Sequence, residues 1–197
     1  MISKKALRCL GVAESFQKEK LDKSVIAGVV MRRDLVIDGF SSTLATVGGL
    51  DATESILRLY RKLQRTDINF MILEGVIISF YNIIDLKRLY EELSIPLIAV
   101  TYRESKGRII DRLKSLPDGE KRLRIYEKNG PREKIFLKTG YNVYIRFLGL
   151  KREEAVNLLN VFTLRGRVPE PVRVAGLIAR GILRLLIDIG DLIGFRH

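Results

Sequence analysis

Residues 69–101 read NFMILEGVIISFYNIIDLKRLYEELSIPLIAVT, and the pattern of this stretch settles the class of fold. It contains a short apolar run at 69–74, an amphipathic run at 83–93 and a second apolar run at 95–101. Strand, helix and strand in this order are typical of a parallel βαβ unit. Because both apolar runs are nearly continuous, we expect strands covered on both faces. The stretch therefore predicts an α/β protein.

The sequence before this unit predicts three more strands and a helix. β-rich runs occupy 6–13, 24–32 and 35–47, and the last two are separated by a tight turn. The segment DATESILRLYRKLQR then begins a helix at Asp51, with Asp51 as the expected N-cap and Glu54 completing a capping box. Three antiparallel strands, a helix and a βαβ unit resemble the order of a ribonuclease H-like fold, a mixed sheet flanked by helices.

The second half of the chain predicts further helices around a second strand pair. A charged stretch after Tyr102 is expected to be helical in two pieces, broken near Pro117. Strands at 134–138 and 142–147, a helix at 152–162 and a last amphipathic helix at 174–193 follow, with Pro171 in the first turn of the last helix. Charged residues interrupt this helix, so we expect no membrane span. The expected organisation is one domain over residues 1–197.

The charge of the chain is strongly positive and unevenly placed. Its 197 residues include 35 Lys and Arg against 23 Asp and Glu, a formal net charge of +12. Residues 24–101 hold eight basic and nine acidic side chains, whereas residues 102–134 hold eleven and six. A basic C-terminal half is typical of proteins that bind nucleic acid or another polyanion. A thermophilic protein with ion-pair networks would have a similar composition, so both interpretations stay open.

The single cysteine and single histidine exclude several chemistries. Cys9 has no second cysteine with which to form an internal disulfide or a thiolate zinc site, which predicts a reducing, cytoplasmic setting. The opening segment MISKKALRCLGVA has no small-residue cleavage signature, so it predicts a strand rather than a signal peptide. Because His197 is the one histidine, imidazole-based catalysis and His-rich metal sites are largely excluded.

Acidic residues near two strand ends are the candidates for catalysis. In a ribonuclease H-like sheet the first and fourth strands are neighbours, so carboxylates at their ends can share divalent metal ions. Glu74 follows an apolar run, as a metal ligand or as a solvated strand end. On the first strand the inward position is Ala13, and Glu14 replaces that acid only if the strand bends. Asp51 could add a carboxylate or only cap its helix. The candidate catalytic residues are Glu14, Asp51 and Glu74, and Glu14 and Glu74 are the candidate Mg²⁺ ligands.

Four stretches resemble endonuclease V and, more closely, an uncharacterised archaeal family related to it. They are LGVAESF, MILEGVIISFYNIIDL, IPLIAVTYRES and RVPEPVRVAGLIA, which begin at residues 10, 71, 95 and 167. The last two are the more specific, because Ile-Pro before a core strand and Pro-Glu-Pro-x-Arg before a terminal helix recur in that family in this order. The resemblance implies an endonuclease V-like fold and, in the characterised enzymes, magnesium-dependent cleavage near deaminated purines.

The resemblance also locates the positions where this chain departs from the enzyme. The first-strand Asp of endonuclease V falls on Ala13, its second Asp on Glu74 and its helix-opening Glu loosely on Asp51. The lysine that ends its core strand falls on Tyr102, and a polar residue of its last helix falls on Gly176. Loss of a bridging carboxylate at Ala13 implies a severely weakened two-metal site.

Five arginines are candidate phosphate contacts, because a guanidinium group carries a fixed charge and several donors. These residues are Arg103, Arg108, Arg112, Arg167 and Arg173. Arg173 could equally pair with Glu170. Tyr81, Tyr102 and Tyr141 could stack on bases, although tyrosines near strand ends more often complete the core.

These observations lead to one hypothesis and two alternatives. We expect an endonuclease V-like protein that binds nucleic acid through its basic C-terminal half, with nuclease activity reduced or lost. The first alternative is a divalent-metal-dependent endonuclease acting on DNA or RNA. The second is a structural or protein-interaction module whose charge reflects thermal adaptation alone. No membrane partner is expected, and the sequence leaves base specificity and oligomeric state open.

Overall fold

The computed structural model describes residues 6–104 and 107–192. The strands within these ranges are β1 Arg8–Ser15, β2 Lys23–Arg32, β3 Ile37–Thr46, β4 Phe70–Leu73, β5 Ile77–Ile78, β6 Asn82–Ile83, β7 Leu97–Thr101, β8 Glu133–Phe136 and β9 Asn142–Leu148. The helices are α1 Ala52–Lys62, α2 Leu86–Leu93, α3 Ile109–Lys114, α4 Gly119–Lys128, α5 Arg152–Phe162 and α6 Glu170–Leu192. Ser105, Ile193 and His197, which entered the sequence arguments, lie outside the described residues.

Seven strands form one mixed sheet in the order β3-β2-β1-β4-β7-β9-β8. β4 pairs in parallel with both β1 and β7, and the other neighbours pair antiparallel. This confirms the predicted three antiparallel strands followed by a parallel βαβ unit. Because β1 and β4 are adjacent and parallel, with Val12 opposite Leu73, their C-terminal ends meet at one edge of the sheet.

Helices cover both faces of the sheet. Leu10 and Val12 of β1 pack with residues of α1 and α2, whereas Cys9 and Ala13 pack with residues of α5 and α6. This division follows from the alternation of side chains along a strand. Burial between β1 and the α5–α6 side raises the pKa of the Cys9 thiol well above its ordinary value. β1 is therefore covered by helices on both faces and directs Ala13 toward α6.

The connection between β4 and α2 differs from the sequence prediction. A helix was expected from Ile83, but α2 begins at Leu86 because the Asp85 carboxylate accepts a hydrogen bond from the N–H of Arg88 at 2.9 Å and caps it. The preceding residues form the β5–β6 hairpin, in which Ile77 pairs with Ile83. Strands of two residues show no periodicity, so the sequence pattern could not reveal them.

The second half of the chain agrees with the prediction. α3 and α4 are the two expected helical pieces, β8 and β9 form the expected hairpin, and α5 and α6 follow. Pro171 lies in the first turn of α6, and this helix exposes Arg180, Arg184 and Asp188 on its polar side. Across the described ranges, no helix combines the length and apolar character that crossing a bilayer requires.

Candidate functional site

Two of the three candidate acids meet at the shared edge of β1 and β4. Glu14 lies near the end of β1 and Glu74 directly follows β4, whose register is continued by a hydrogen bond from the Glu74 N–H to the Val12 carbonyl at 3.0 Å. Glu14 and Glu74 line the same small cavity at this edge, and the negative charge of Glu74 adds to the rise that burial causes in the pKa of Glu14. The structure therefore brings Glu14 and Glu74 together.

Glu14 faces the β5–β6 hairpin rather than the position of Ala13. Its Oε1 atom accepts a hydrogen bond from the N–H of Ser79 at 3.1 Å, and the Ser79 hydroxyl lies 3.5 Å from Oε2. Burial raises the pKa of Glu14 to about 6, the Ser79 bonds oppose the rise and Glu74 adds to it. β1 pairs with β2 in unbroken register over 8–15. The strand has no bulge, so Glu14 does not take over the inward position.

Ala13 and Gly176 meet where β1 packs against α6. Ala13 is 2% exposed. A Cβ atom added to Gly176 would lie 3.7 Å from the Ala13 Cβ atom and 3.4 Å from Nη1 of Arg180. The two positions at which the resembling enzyme carries an acid and a polar residue are thus closely packed small residues. The guanidinium group of Arg180 lies beside Gly176.

Glu74 is exposed, but the surrounding protein affects its ionisation. Loss of hydrating water raises the pKa of Glu74 above its ordinary value, and the positive charge of Arg180 opposes this rise. Arg180 is one of the charged residues that interrupt the last amphipathic helix, and the sequence did not predict that it acts on Glu74. Its approach to Glu74 depends on how α6 crosses β1 and β4, which no local pattern encodes.

Asp51 is held apart from the acid pair, and the predicted capping box is wrong. The Asp51 side chain makes no cap bond to α1. It accepts hydrogen bonds from the Thr46 N–H at 3.1 Å and from Nδ2 of Asn82 at 2.7 Å. Burial raises the pKa of Asp51, but these bonds outweigh burial and bring the pKa below its ordinary value. Glu54 pairs instead with Arg88 at 2.7 Å. Asp51 thus ties β3 to the β5–β6 hairpin.

The residues present do not fit the two-metal site that the resemblance implies. Glu14 and Glu74 supply two carboxylates, but Ala13 supplies none and Asp51 is engaged elsewhere. Across the described part of the chain, no three His, Cys, Asp or Glu side chains are grouped closely enough to hold a metal ion. A two-metal site needs several convergent oxygen ligands and a bridging carboxylate. Arg180 places a fixed positive charge beside Glu74 instead.

The five candidate arginines differ in their surroundings. Arg103, Arg108, Arg112 and Arg167 are exposed. The Arg167 Nη1 atom donates to the Tyr102 carbonyl at 2.9 Å, at the end of β7. Arg173 takes the other role considered for it, since its Nη2 atom lies 2.7 Å from the buried Glu170 carboxylate.

Tyr102, at the position of the resembling enzyme's lysine, packs against the layer formed by α5 and α6. Its hydroxyl is buried and has no hydrogen-bond partner among the described residues. Burial raises the pKa of this hydroxyl; the negative charge of Glu74 adds to the rise and Arg167 opposes it. Tyr102 therefore completes the core edge while its hydroxyl lies within electrostatic reach of Glu74.

Two buried arginines were missed by sequence reasoning. Arg146 is 6% exposed, donates to the Gly130 carbonyl at 2.7 Å and lines a pocket of about 180 Å³ beside Glu74, together with Arg132. It interrupts the apolar run NVYIRFL, a signal that could have found it. Arg122 is 5% exposed and donates to four backbone carbonyls, including that of Tyr81 at 2.6 Å. No local signal marks Arg122, because most of its partners lie in distant segments.

The chain matches known proteins along most of its length. Residues 5–183 match the protein family described as endonuclease dU. A UPF0215 protein of Pyrobaculum calidifontis is 35% identical over 178 residues, which cover 90% of this chain and 97% of that protein. A UPF0215 protein of Methanosarcina barkeri is 36% identical over 183 residues, covering 91% of this chain and 92% of that protein.

Solved structures show the same fold. A protein of unknown function from Archaeoglobus fulgidus has a TM-score of 0.78 and 29% identity, covering 90% of this chain and 98% of its own. Endonuclease V of Ciona intestinalis, solved with a DNA that contains inosine followed by a ribo-adenosine, has a TM-score of 0.63 and 14% identity, covering 92% of this chain and 87% of its own. Human endonuclease V has a TM-score of 0.61 and 18% identity, covering 91% of this chain and 85% of its own. The fold is thus an endonuclease V-like mixed sheet.

Proposed function

The chain belongs to the endonuclease dU family, an archaeal family related to endonuclease V, and from that premise we propose that it binds nucleic acid with its capacity to cleave the strand reduced or lost. It would act as one domain in the cytoplasm. The binding surface is the basic edge around Glu74, with Arg103, Arg108, Arg112 and Arg167 as phosphate contacts. Arg173, already paired with Glu170, would contribute least.

One observation carries the proposal: small uncharged residues stand where the resembling enzyme has an acid and a polar residue, and arginines surround Glu74. Ala13 and Gly176 are small, and the guanidinium group of Arg180 lies beside Gly176. Arg132 and Arg146 line the pocket on another side of Glu74, and neither forms an ion pair within the described ranges. With two arginines against the single Glu74 carboxylate, this pocket favours a bound anion, and phosphate is the anion that every strand supplies.

The family and its relatives indicate which nucleic acid to try first. The family is named for dU, and one structural relative is complexed with DNA containing inosine. We therefore propose DNA with a deaminated base as the preferred ligand. RNA is the comparison ligand in the anisotropy measurements.

Fluorescence anisotropy of labelled single- and double-stranded DNA and RNA at several salt concentrations tests the binding. We expect the logarithm of affinity to fall linearly with the logarithm of salt concentration, because each phosphate contact releases counterions. Arg112→Ala should reduce the slope by about one. Arg88→Ala, an exposed arginine on α2 paired with Glu54, is the matched control and should leave the slope unchanged. Binding without a salt slope, or no binding, would support the protein-interaction alternative instead.

A metal-dependent endonuclease using Glu14, Asp51 and Glu74 is the second candidate, and the meeting of Glu14 with Glu74 favours it. Strands containing dU, inosine or an abasic site are incubated with Mg²⁺ or Mn²⁺ and resolved by gel electrophoresis. Our proposal expects little or no cleavage. Cleavage at a rate typical of enzymes that is lost in Glu74→Ala would establish the second candidate. Cleavage that persists in Glu74→Ala would come from elsewhere and exclude this acid pair as its source.

A further inference from the structure

The tip of the β5–β6 hairpin has an unusual backbone. Ser79, Phe80 and Tyr81 have φ angles of 44°, 58° and 67°, so three consecutive residues with side chains adopt the left-handed region that glycine usually occupies. Each such residue costs roughly 1–3 kcal/mol and persists only where surrounding contacts impose it. Conformations of this kind concentrate at functional sites.

Contacts from three directions hold this tip in place. The Ser79 N–H donates to Glu14, and the Ser79 carbonyl accepts from the Gly48 N–H at 2.7 Å. The buried Arg122 donates to the Tyr81 carbonyl at 2.6 Å. All these contacts involve the backbone of the tip or the hydroxyl of Ser79. The fold therefore positions the Phe80 and Tyr81 rings through contacts in which the rings themselves take no part.

The two rings are presented at the surface rather than packed into the core. Both are partly exposed, and they meet edge to face with centroids 5.3 Å apart. Ile77 and Ile78 belong to the hydrophobic cluster under the hairpin, but neither ring is part of the clusters formed by the described residues. The expectation that Tyr81 completes the core edge is therefore wrong. Core packing does not explain the pair.

Positive charges flank both rings. The Lys18 Nζ atom lies 3.9 Å from the centre of the Phe80 ring, and the Arg112 guanidinium lies 5.8 Å from the centre of the Tyr81 ring. Phe80 and Lys18 also line a cleft of about 470 Å³, within the range of roughly 300–1,000 Å³ typical of small-molecule sites. Asp22, Asp118 and Arg122 line the same cleft, so its two carboxylates balance its two cations and it suits a neutral base better than a phosphate.

We propose that Phe80 and Tyr81 form a stacking surface for an unpaired nucleobase of a strand that passes over the acid pair. Aromatic rings bind bases of any sequence because every base has a π-face, and neighbouring cations hold the backbone. A base on Phe80 replaces the Lys18 ammonium, which then meets the adjoining phosphate. This inference rests on the proposed nucleic-acid binding and names its substrate class as a strand with an unpaired base.

Tryptophan reporters test the stacking directly, because the chain contains no tryptophan. Phe80→Trp and Tyr81→Trp each create a single fluorophore at the tip. Phe136→Trp is the matched control, since Phe136 is an exposed ring with Lys134 nearby, on β8 at the edge of the sheet. We expect single-stranded DNA to quench the two tip reporters saturably and to leave the control unchanged. Fully paired duplex should quench the tip reporters less.

The affinity of leucine variants gives a second measurement. Phe80→Leu and Tyr81→Leu keep apolar bulk but remove the ring, and each should weaken single-strand binding by about 5- to 100-fold, the range for loss of one stacked base. Phe136→Leu should change the affinity less than twofold by the same reasoning. Far-ultraviolet circular dichroism and the thermal midpoint establish that each variant is folded. The tryptophan reporters, which retain a ring, decide the matter for any leucine variant that unfolds.

The two proposals fail in distinguishable ways. Anisotropy that reports binding while the tip reporters are not quenched, or while Phe136→Trp is quenched equally, overturns the stacking surface alone. Absence of binding by anisotropy with intact reporters overturns both proposals. Quenching confined to the tip with loss of affinity in the leucine variants supports both.

Discussion

At the scale of single residues, Ala13 marks the main difference from the enzyme that the fold resembles, because the first-strand acid of that enzyme falls at this position. An acid at this position would be nearly enclosed, and an enclosed carboxylate is costly unless a partner neutralises it. Arg180, whose guanidinium group lies beside Gly176, is the candidate for that partner. A carboxylate introduced at Ala13 could therefore form an ion pair with Arg180, and a substitution can test this.

Ala13→Asp should destabilise the fold, and Arg180 should limit the loss. We expect a decrease in the free energy of unfolding of about 1–3 kcal/mol, with a larger decrease when Arg180→Gln is present. Urea denaturation of the two single variants and the double variant gives the coupling energy between the sites. Strictly additive effects would mean that Arg180 does not reach the new carboxylate.

Glu14→Gln should change how stability depends on pH. The folded-state pKa of Glu14 is raised from 4.5 to about 6, so the folded protein binds this proton more tightly than the unfolded chain. Stability from this group is present below pH 4.5 and is lost as the pH rises through about 6. The variant should exceed the parent by up to about 2 kcal/mol at pH 8, with no such advantage near pH 4.

Thermal and urea unfolding of Glu14→Gln and its parent across this pH range provide the measurement. Gln retains an oxygen that can accept the Ser79 N–H, so the geometry of the hairpin is preserved. A constant difference between the two proteins at all pH values would contradict an elevated pKa at Glu14.

Asp51→Ser separates the capping role predicted from the sequence from the role found in the structure. Serine is a good N-cap, so a capping residue would tolerate the exchange. Because Asp51 instead binds Thr46 and Asn82, we expect a loss of about 1–3 kcal/mol in the free energy of unfolding. Glu54→Ala, which removes only exposed ion pairs, should cost less than about 1 kcal/mol. Equal effects of the two substitutions would restore the capping interpretation.

At the scale of elements, the approach of α6 to β1 sets the geometry of the site. A Cβ atom added to Gly11 would lie 2.3 Å from the Pro171 carbonyl carbon, a distance that no side chain can occupy. Gly176, in the same contact, has only a flexible guanidinium and a methyl group nearby. Gly11 therefore permits the close approach of α6 to β1, whereas Gly176 does not limit it.

Gly11→Ala and Gly176→Ala should differ sharply in stability. The first must push α6 away from β1, and overpacking of this kind costs about 1–3 kcal/mol or more. The second should be near neutral, or stabilising by up to about 1 kcal/mol, because alanine favours helix more than glycine does. Chemical denaturation of both variants makes the comparison. A larger loss for Gly176→Ala would contradict the packing described here.

The sequence predicted long elements well and short, strained ones poorly. α5, β4 and β7 have enough residues for their apolar pattern to identify them. β5 and β6 have two residues each, and the turn between them uses left-handed residues without glycine, so neither periodicity nor turn chemistry marked the hairpin. The partners that impose this turn, Glu14 and Arg122, are brought to it only by the tertiary structure.

At the scale of the whole molecule, the charge distribution was predictable, but its arrangement was not. The count of charges along the chain located the positive excess after Tyr102. It could not distinguish the buried Arg146 beside Glu74 from Arg173, which is paired with Glu170. That distinction depends on burial and distance, which only a folded chain defines. The same limit applies to Asp51, which the sequence grouped with the acid pair.

The parallel pairing of β1 with β4 has a consequence for folding. β1, β2 and β3 are consecutive and antiparallel, so short loops join them, whereas β4 reaches β1 only after β2, β3 and α1 have intervened. Closing a long loop costs entropy before its contacts form. We expect pulse-labelling hydrogen exchange during refolding to find β2 and β3 protected before β4. Simultaneous protection of the three strands would contradict this order. Glu14 and Glu74 would then come together only after β2 and β3 have paired, and a chain synthesised as far as β3 would hold the three antiparallel strands without Glu74.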